Sequence, residues 1–325
     1  MTILESYNRY RKCYKNYISV WWNKYRKREI INIILRDGRK GKVNNSMVDL
    51  LSYISKNESE ATEALDYYEQ ANLDNNQVIQ FSLLLKRGMD FHNALMCLKE
   101  NKLFYKGLEV VMHGWLNKGV TNNGDIIGVF FDEDYKFLNV KNEVVIDIGA
   151  NIGDSTIYFA LNDANKVIAL EPYPYSYNYA LKNIEMNKMK SKIILLNAGY
   201  GKDSEMKVDE NKRTDLGTDL KPSVYGKKIS VYSLKTIIDN YNLKDELILK
   251  MDCEGCEYKL LDENDETLRK FKRIQIEYHY GYDKLVEKLK ECNFDLKYTE
   301  PKKVYIKSAS TPNMSLGWIY ANRKS

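Results

Sequence analysis

The chain has 325 residues, more than a usual single domain of roughly 100–200, so one large domain with an appended region is the first expectation. Hydrophobic residues make up 44% and aromatics 12%, too much for a disordered chain, and a net charge of +5 is too small to mark the whole protein as a nucleic-acid binder. No apolar run approaches the roughly 18–20 residues that span a bilayer, and no continuous apolar leader begins the chain, so a soluble, cytoplasmic protein is expected.

Residues 1–28 read as one basic, aromatic helix. The first thirty residues hold eight basic and two acidic side chains, a net +6, which leaves −1 for the rest. Tyr7, Tyr10, Tyr14, Tyr17 and Trp21 recur at spacings of three and four, an aromatic stripe along one helix face, with Trp22 and Tyr25 adjoining. The stripe suits packing on the domain or on a second copy in a homodimer. A helix resting peripherally on the inner, anionic membrane surface is a sharper alternative, and a phosphate-rich acceptor a third.

Residues 29–140 read as a mixed, mostly helical cap region. Ile30 to Leu35, followed by Asp37-Gly38, suggests a strand and tight turn, and Ile126 to Phe131 (IIGVFF) a second strand. Between them Val78 to Leu98 reads as helical, with Phe81, Leu84, Leu85, Met89 and Leu95 on its apolar face.

Residues 141–325 carry the informative motifs. Val144 to Ser155 (VVIDIGANIGDS) is an apolar strand ending in an acid, a glycine turn and a helix start, the arrangement that brings backbone close to a nucleotide-like cofactor. Gly149 and Gly153 accept positive φ and, lacking Cβ, let a ligand lie against the turn. Asn151 stands where a dinucleotide fingerprint wants glycine, which points away from NAD and FAD. Asp154 or Ser155 can cap the following helix, whose free amide groups suit a carboxylate. Glu171 closes the next apolar strand (VIALEP), where a carboxylate grips two ribose hydroxyls. Further apolar strands are expected at Lys192 to Asn197, Leu247 to Asp252, Arg273 to Tyr278, Asn293 to Tyr298 and Gly317 to Ala321. Strand alternating with helix implies a doubly wound parallel sheet that binds ligands at its carboxyl ends.

The ordered series DIGANIGD, ALEPYP, KMDCEGCE (Lys250 to Glu257) and IEYH (Ile276 to His279) resembles the FkbM family of class I S-adenosylmethionine-dependent methyltransferases from Val144 to Asn322. The resemblance implies an α/β, Rossmann-like fold with a seven-stranded mixed sheet, a reversed final strand, helices on both faces and a variable N-terminal region over one end. It implies S-adenosyl-L-methionine as cofactor, with Asp147 toward its aminoacyl part, Glu171 on its ribose and Asn197 on its adenine edge.

Methyl transfer from a sulfonium is an in-line displacement, and an alcohol benefits from a base. Asp252, at the family's acceptor-facing position, is therefore expected to orient or deprotonate a hydroxyl. Glu254 lies beside it, and Glu277 and His279 point to one face of their strand. Asp252, Glu254 and Glu277 have the oxygen donors for magnesium, yet the spacing demands no metal and none is assigned. Five cysteines, an odd number, suggest no disulfide framework and a reducing compartment. Cys253 and Cys256, in the variable slots of D-x-E-G-x-E, are expected to be free, structural thiols.

The polar stretch from Tyr200 to Ser230 is expected over the cofactor face, either as a mobile loop closing on an acceptor or as a solvated hairpin. Its charges favour a polar small molecule or glycan. The expected activity is O-methylation of a saccharide, glycoconjugate or hydroxylated metabolite. A nucleic-acid methyltransferase is the first alternative, disfavoured because the fourth strand lacks the N/D-P-P-Y/F segment of exocyclic-amine enzymes. An inactive cofactor-binding scaffold is the second.

Overall fold

The computed structural model describes residues 3–116, 125–212, 220–305 and 312–324. The chain forms two compact units: residues 1–102 with 116–121, and residues 103–115 with 122–325.

In the first unit the expected N-terminal helix is two helices, Ile3–Cys13 and Tyr17–Tyr25. The break falls where backbone turns to bridge a hairpin: Tyr14 pairs with Leu35, the Lys15 amide donates to the Ile34 carbonyl, and the Asn16 side chain bonds Asn32 and Ile34. This splits the aromatic stripe. Tyr10 and Tyr14 are buried on the helix Asn45–Ile54, donating to Asp49 and to the Val48 carbonyl, while Trp22 and Tyr25 stay 44% and 66% exposed. The expected strand appears at Ile31–Ile34, paired with Lys40–Val43. The long helix is again two, Asn75–Lys86 and Phe91–Glu100, because Asp90 starts a fresh turn by accepting from the Asn93 amide. Among the described residues no helix is long and apolar enough to cross a membrane.

The second unit holds the main sheet. Its strands are β1 (Val144–Ile148), β2 (Lys166–Leu170), β3 (Ile193–Leu196), β4 (Leu247–Met251), β5 (Phe271–Tyr278), β6 (Phe294–Tyr298) and β7 (Asn313–Arg323). They lie in the order β6-β7-β5-β4-β1-β2-β3, and the short strand Lys302–Tyr305 also pairs with β7. The first five are parallel to one another and β7 runs antiparallel to β5 and β6, as the resemblance implied. Alternation sets the two faces. Ile146, Ile148, Ile168 and Leu170 join Leu234, Ile237, Leu285 and Leu289 of the helices Leu234–Asn240 and Asp283–Glu291 in one core. Asp147, pointing the other way, reaches the helix Asp154–Leu161. The fold is therefore α/β and Rossmann-like, with helices on both faces.

The segment IIGVFF is not a strand. Gly128–Asp132 is a wide helical turn, started by the Asp125 carboxylate accepting from the Gly128 amide and closed by the Asp134 amide on the Gly128 carbonyl. A short apolar run does not distinguish buried strand from buried helix, and here the flanking aspartates decide. Residues 125–140, read from sequence as cap, belong to the second unit.

The polar insertion forms its own sheet: Ser204–Val208 pairs antiparallel with Lys227–Tyr232, which runs parallel to Ala198–Tyr200. Residues 213–219 at the centre of this insertion lie outside the described residues.

Candidate functional site

The carboxyl ends of β1, β2 and β3 form one side of the site. The glycine turn after β1 is held from both sides by backbone: the amides of Gly149 and Ala150 donate to the Leu170 carbonyl, and the amide of Asp252 donates to the Ile148 carbonyl. At Gly149 the missing Cβ serves this packing rather than a ligand. A Cβ there would lie 1.9 Å from the Asp252 carbonyl oxygen, and φ is +82°. Gly153, not Asp154 or Ser155, is the N-cap of the next helix and has no side-chain cap bond. Its own Cβ position faces Ala180 at 3.2 Å. Asp154 instead accepts from the Asp125 amide, 2.9 Å away, and Ser155 donates to Asp147.

Asp147 is fully enclosed beneath the turn. Its Oδ2 accepts from Ser155 and Thr156 at 2.8 and 2.6 Å, and its Oδ1 lies 3.1 Å from Lys250 Nζ, an ion contact out of line for a hydrogen bond. Lys250 also donates to the carbonyls of Gly149 and Ile148. Burial pulls the lysine's pKa down, but the carboxylates of Asp147 and Asp252 outweigh it and hold it above the ordinary value. The two form a buried pair that pins the turn from below, a role for Lys250 that the sequence reading missed.

Glu171 sits over the turn. Its oxygens accept from the backbone amides of Asn151 and Tyr173, both at 2.9 Å. Burial pushes its carboxyl up to about 8, against the pull of those two amides. Burial likewise pushes Asp154 up to about 7. A carboxylate has about four acceptor positions, so Glu171 keeps capacity for two hydroxyls. Asn197 donates to the carbonyls of Glu171 and Pro172, while its buried Oδ1 finds no hydrogen-bond partner among the described residues. Asn197 thus presents a buried acceptor close to the end of β3. Asp147, with its neighbours already bound, is placed to support the turn rather than to touch the aminoacyl group.

The ends of β4 and β5 form the other side. Asp252, Glu254, Glu277 and His279 come together here. His279 is fully buried, and its Nε2 lies 3.2 Å from Glu254 Oε2 and 3.9 Å from Asp252 Oδ1, ion contacts without a hydrogen bond. Glu257 holds the imidazole from behind: its Oε1 faces Nδ1 at 2.9 Å and accepts from the His279 amide at 3.0 Å, while its Oε2 accepts from the Gly255 amide. Burial opposes a charge on the ring, yet Glu257, Glu254 and Asp252 together raise His279 to about 10. Burial, then the neighbouring Asp252, raises Glu277 well above the usual carboxyl range. Asp252 is partly open, its side chain 28% exposed against 20% for Glu254, with Tyr135 donating to Oδ2 at 3.3 Å. Glu257 and Tyr135 escaped the sequence reading. The spacing of D-x-E-G-x-E was the signal for Glu257, since its second glutamate follows the turn that returns the chain under the first.

Cys253 and Cys256 are joined in a disulfide, which corrects the expectation of free thiols. The turn between Asp252 and Glu257 brings their Cα atoms to 5.5 Å, within bonding range, and an odd cysteine total did not exclude one such local pair. Cys13, Cys97 and Cys292 are free and buried.

Residues 147–296 match the model of the methyltransferase FkbM domain. A tRNA(Phe) (4-demethylwyosine(37)-C(7)) aminocarboxypropyltransferase of Pyrococcus horikoshii is 29% identical over 200 residues, 58% of this chain and 63% of that one. The enzyme of the same description from Methanocaldococcus jannaschii is 39% identical over 61 residues, 18% of this chain and 24% of that one. The match thus spans less than two thirds of either relative. Among solved structures, M. jannaschii TYW2 in complex with AdoMet aligns with a TM-score of 0.36 at 16% identity, covering 69% of this chain and 86% of that one. An rRNA methylase of Streptococcus thermophilus aligns with a TM-score of 0.37 at 12% identity, covering 61% and 96%.

Proposed function

Taking as premise that residues 147–296 form a methyltransferase FkbM domain, of a class I S-adenosylmethionine-dependent family, we propose that the chain transfers the cofactor's methyl group to a hydroxyl. The carrying observation is the junction of two unlike half-sites across one backbone contact, Gly149 against the Asp252 carbonyl. One half offers acceptors for a nucleoside, the other a cluster of acids around a buried imidazole.

S-adenosylmethionine, when bound, supplies an electrophilic methyl on a sulfonium. Glu171 would accept from the ribose hydroxyls and Asn197 Oδ1 from the adenine amine. Asp147 and Lys250 act from beneath, fixing the turn that carries Asn151. Asp252, its side chain 28% exposed, would accept a hydrogen bond from the acceptor hydroxyl and take its proton as the methyl passes from sulfur to oxygen and the sulfonium leaves as a neutral thioether. Glu257 and His279 hold the acid cluster in place, with Glu254 and Glu277 completing it. The negative potential of this end suits a neutral polyol or saccharide hydroxyl better than a phosphate.

A second reading is favoured by one observation, the similarity to enzymes whose names specify tRNA(Phe) and aminocarboxypropyl transfer. On that reading the acceptor is RNA and a different sulfonium substituent moves.

One experiment separates them. The chain is incubated with S-adenosylmethionine labelled either in the methyl or in the carboxyl carbon, against saccharides, small polyols and RNA. Methyl label on a hydroxylated small molecule or glycan, lost in Asp252→Asn, is the expected result. Carboxyl label on RNA establishes the second reading. Cofactor binding that is absent, or that Glu171→Gln leaves unchanged, overturns both.

A further inference from the structure

The ligand atoms of Asp252, Glu277 and His279 lie within 4.8 Å of one another at the carboxyl ends of β4 and β5. Acids gathered at a strand end are not in themselves a site. Three further features give this group a direction.

His279 is fully buried, and its Nε2 has no hydrogen-bond partner among the described residues although it faces Asp252 and Glu254. Its other nitrogen is held by Glu257, itself fully buried. A carboxylate only accepts, so Glu257 keeps a proton on Nδ1 and aims Nε2 into the cluster, where a bound cation displaces the proton that the surrounding acids hold on Nε2. Carboxylate behind histidine, histidine toward the centre, is the arrangement that orients imidazole for a metal ion. Finally, Tyr135 donates to Asp252 Oδ2 and so orients a second donor from outside the cluster.

We propose that Asp252, Glu277 and His279 Nε2 bind one divalent transition-metal cation, with Glu257 and Tyr135 as the residues that orient its ligands. One nitrogen with two carboxylates suits manganese, iron(II) or zinc better than magnesium, which prefers oxygen alone. Three protein donors leave coordination positions open. A hydroxyl taking one of them is acidified and gives its proton to the neighbouring Glu254 carboxylate, so the cation performs the activation assigned to Asp252 alone in its absence. The catalytic consequence rests on the reading of this end as the acceptor pocket; the binding itself does not.

The test uses the full chain after dialysis against chelator, titrated with Mn2+ while the signal of the free ion is followed by electron paramagnetic resonance, with Zn2+ in competition. About one equivalent is expected to bind. Asp252→Asn and His279→Gln are each expected to weaken binding at least tenfold, and Glu257→Gln roughly 10–100-fold through the histidine it orients. Asp66→Asn, an exposed acid of the first unit, is expected to leave binding unchanged. Because His279 and Glu257 are buried, each variant is checked by thermal unfolding, and the partly exposed Asp252 keeps the test decisive if those two fail to fold. S-adenosylmethionine binding is measured in parallel in excess chelator. Retained cofactor binding with no Mn2+ or Zn2+ bound overturns the cation site and leaves the methyltransferase reading standing, with the imidazolium itself filling the cluster. Metal binding that Asp252→Asn does not weaken also overturns it. Metal binding without cofactor binding supports the cation site and refutes the methyltransferase reading instead.

Discussion

Gly149→Ala tests the contact on which both halves of the site depend. The added Cβ would lie 1.9 Å from the Asp252 carbonyl oxygen, about 1.5 Å inside the 3.4 Å at which ordinary contact begins. The obstacle is backbone, and the Asp252 amide is itself bonded to the Ile148 carbonyl, so no side chain can swing aside. A left-handed φ in a residue with Cβ adds about 1–2 kcal/mol, and forcing extra volume into a packed interior about 1–3 kcal/mol. The expected loss is about 2–5 kcal/mol, a fall in Tm of roughly 4–20 °C for a unit of this size. Gly153→Ala is the comparison, because its φ of +89° carries the same strain but its nearest neighbour is Ala180 Cα at 3.2 Å. Urea denaturation of both variants, followed by tryptophan fluorescence and far-ultraviolet circular dichroism, measures the difference. Equal losses, or a loss under about 1 kcal/mol for Gly149→Ala, would refute the close approach.

Glu171, raised to about 8, gives cofactor binding a pH dependence. Its ionised form is the better acceptor for ribose hydroxyls, so affinity should tighten from pH 7 to 9 by calorimetry; a flat profile in the wild type would contradict this. The same group works against folding: between its ordinary pKa of about 4.3 and about 8 the folded chain holds a proton that the unfolded chain releases, so stability contributed here falls as pH rises through that window. Glu171→Gln should remove that slope from urea midpoints measured at several pH values. Asp147→Asn leaves Lys250 buried without its anionic partner and should cost about 3–5 kcal/mol in urea denaturation, and adding Lys250→Met should recover most of it. A single variant within about 1 kcal/mol of wild type would show that the carbonyls alone satisfy the lysine. Asn183 donates to the carbonyls of His113 and Ile152 and accepts from the His113 amide, so Asn183→Ala should cost about 2–4 kcal/mol by leaving these groups unpaired. A thermal midpoint unchanged within about 2 °C would argue that water replaces the amide.

The centre of the sheet was legible because β1, β2 and β4 are apolar runs that end at a glycine or an acid, and β1 and β2 lie where the pattern puts them. The N-terminal stripe was legible as a pattern but not as a shape. Spacing marks a face, while the break at Tyr14 depends on a hairpin whose partner strand is distant in sequence. IIGVFF misled because Asp125 and Asp134, not its own apolar residues, decide its conformation. Asp252, Glu254, Glu277 and His279 converge because they sit at the ends of adjacent parallel strands, which strand order alone implies. The buried partners were illegible for the opposite reason. Nothing local in Lys250 distinguishes a surface lysine from one whose ammonium replaces solvent with two carbonyls and a carboxylate.

The polar insertion after β3 has a pinched neck. A Cβ on Gly226 would stand 2.0 Å from the Val208 carbonyl, and the Ser223 amide closes onto Lys207. At its far end Asp203 clasps the Ser233 amide and the hydroxyls of Ser233 and Thr236. The neck of the insertion is thus fixed by backbone and side-chain bonds on both strands, and what it closes is a loop whose length matters little to the sheet. Doubling its length costs only about 0.6 kcal/mol of closure entropy.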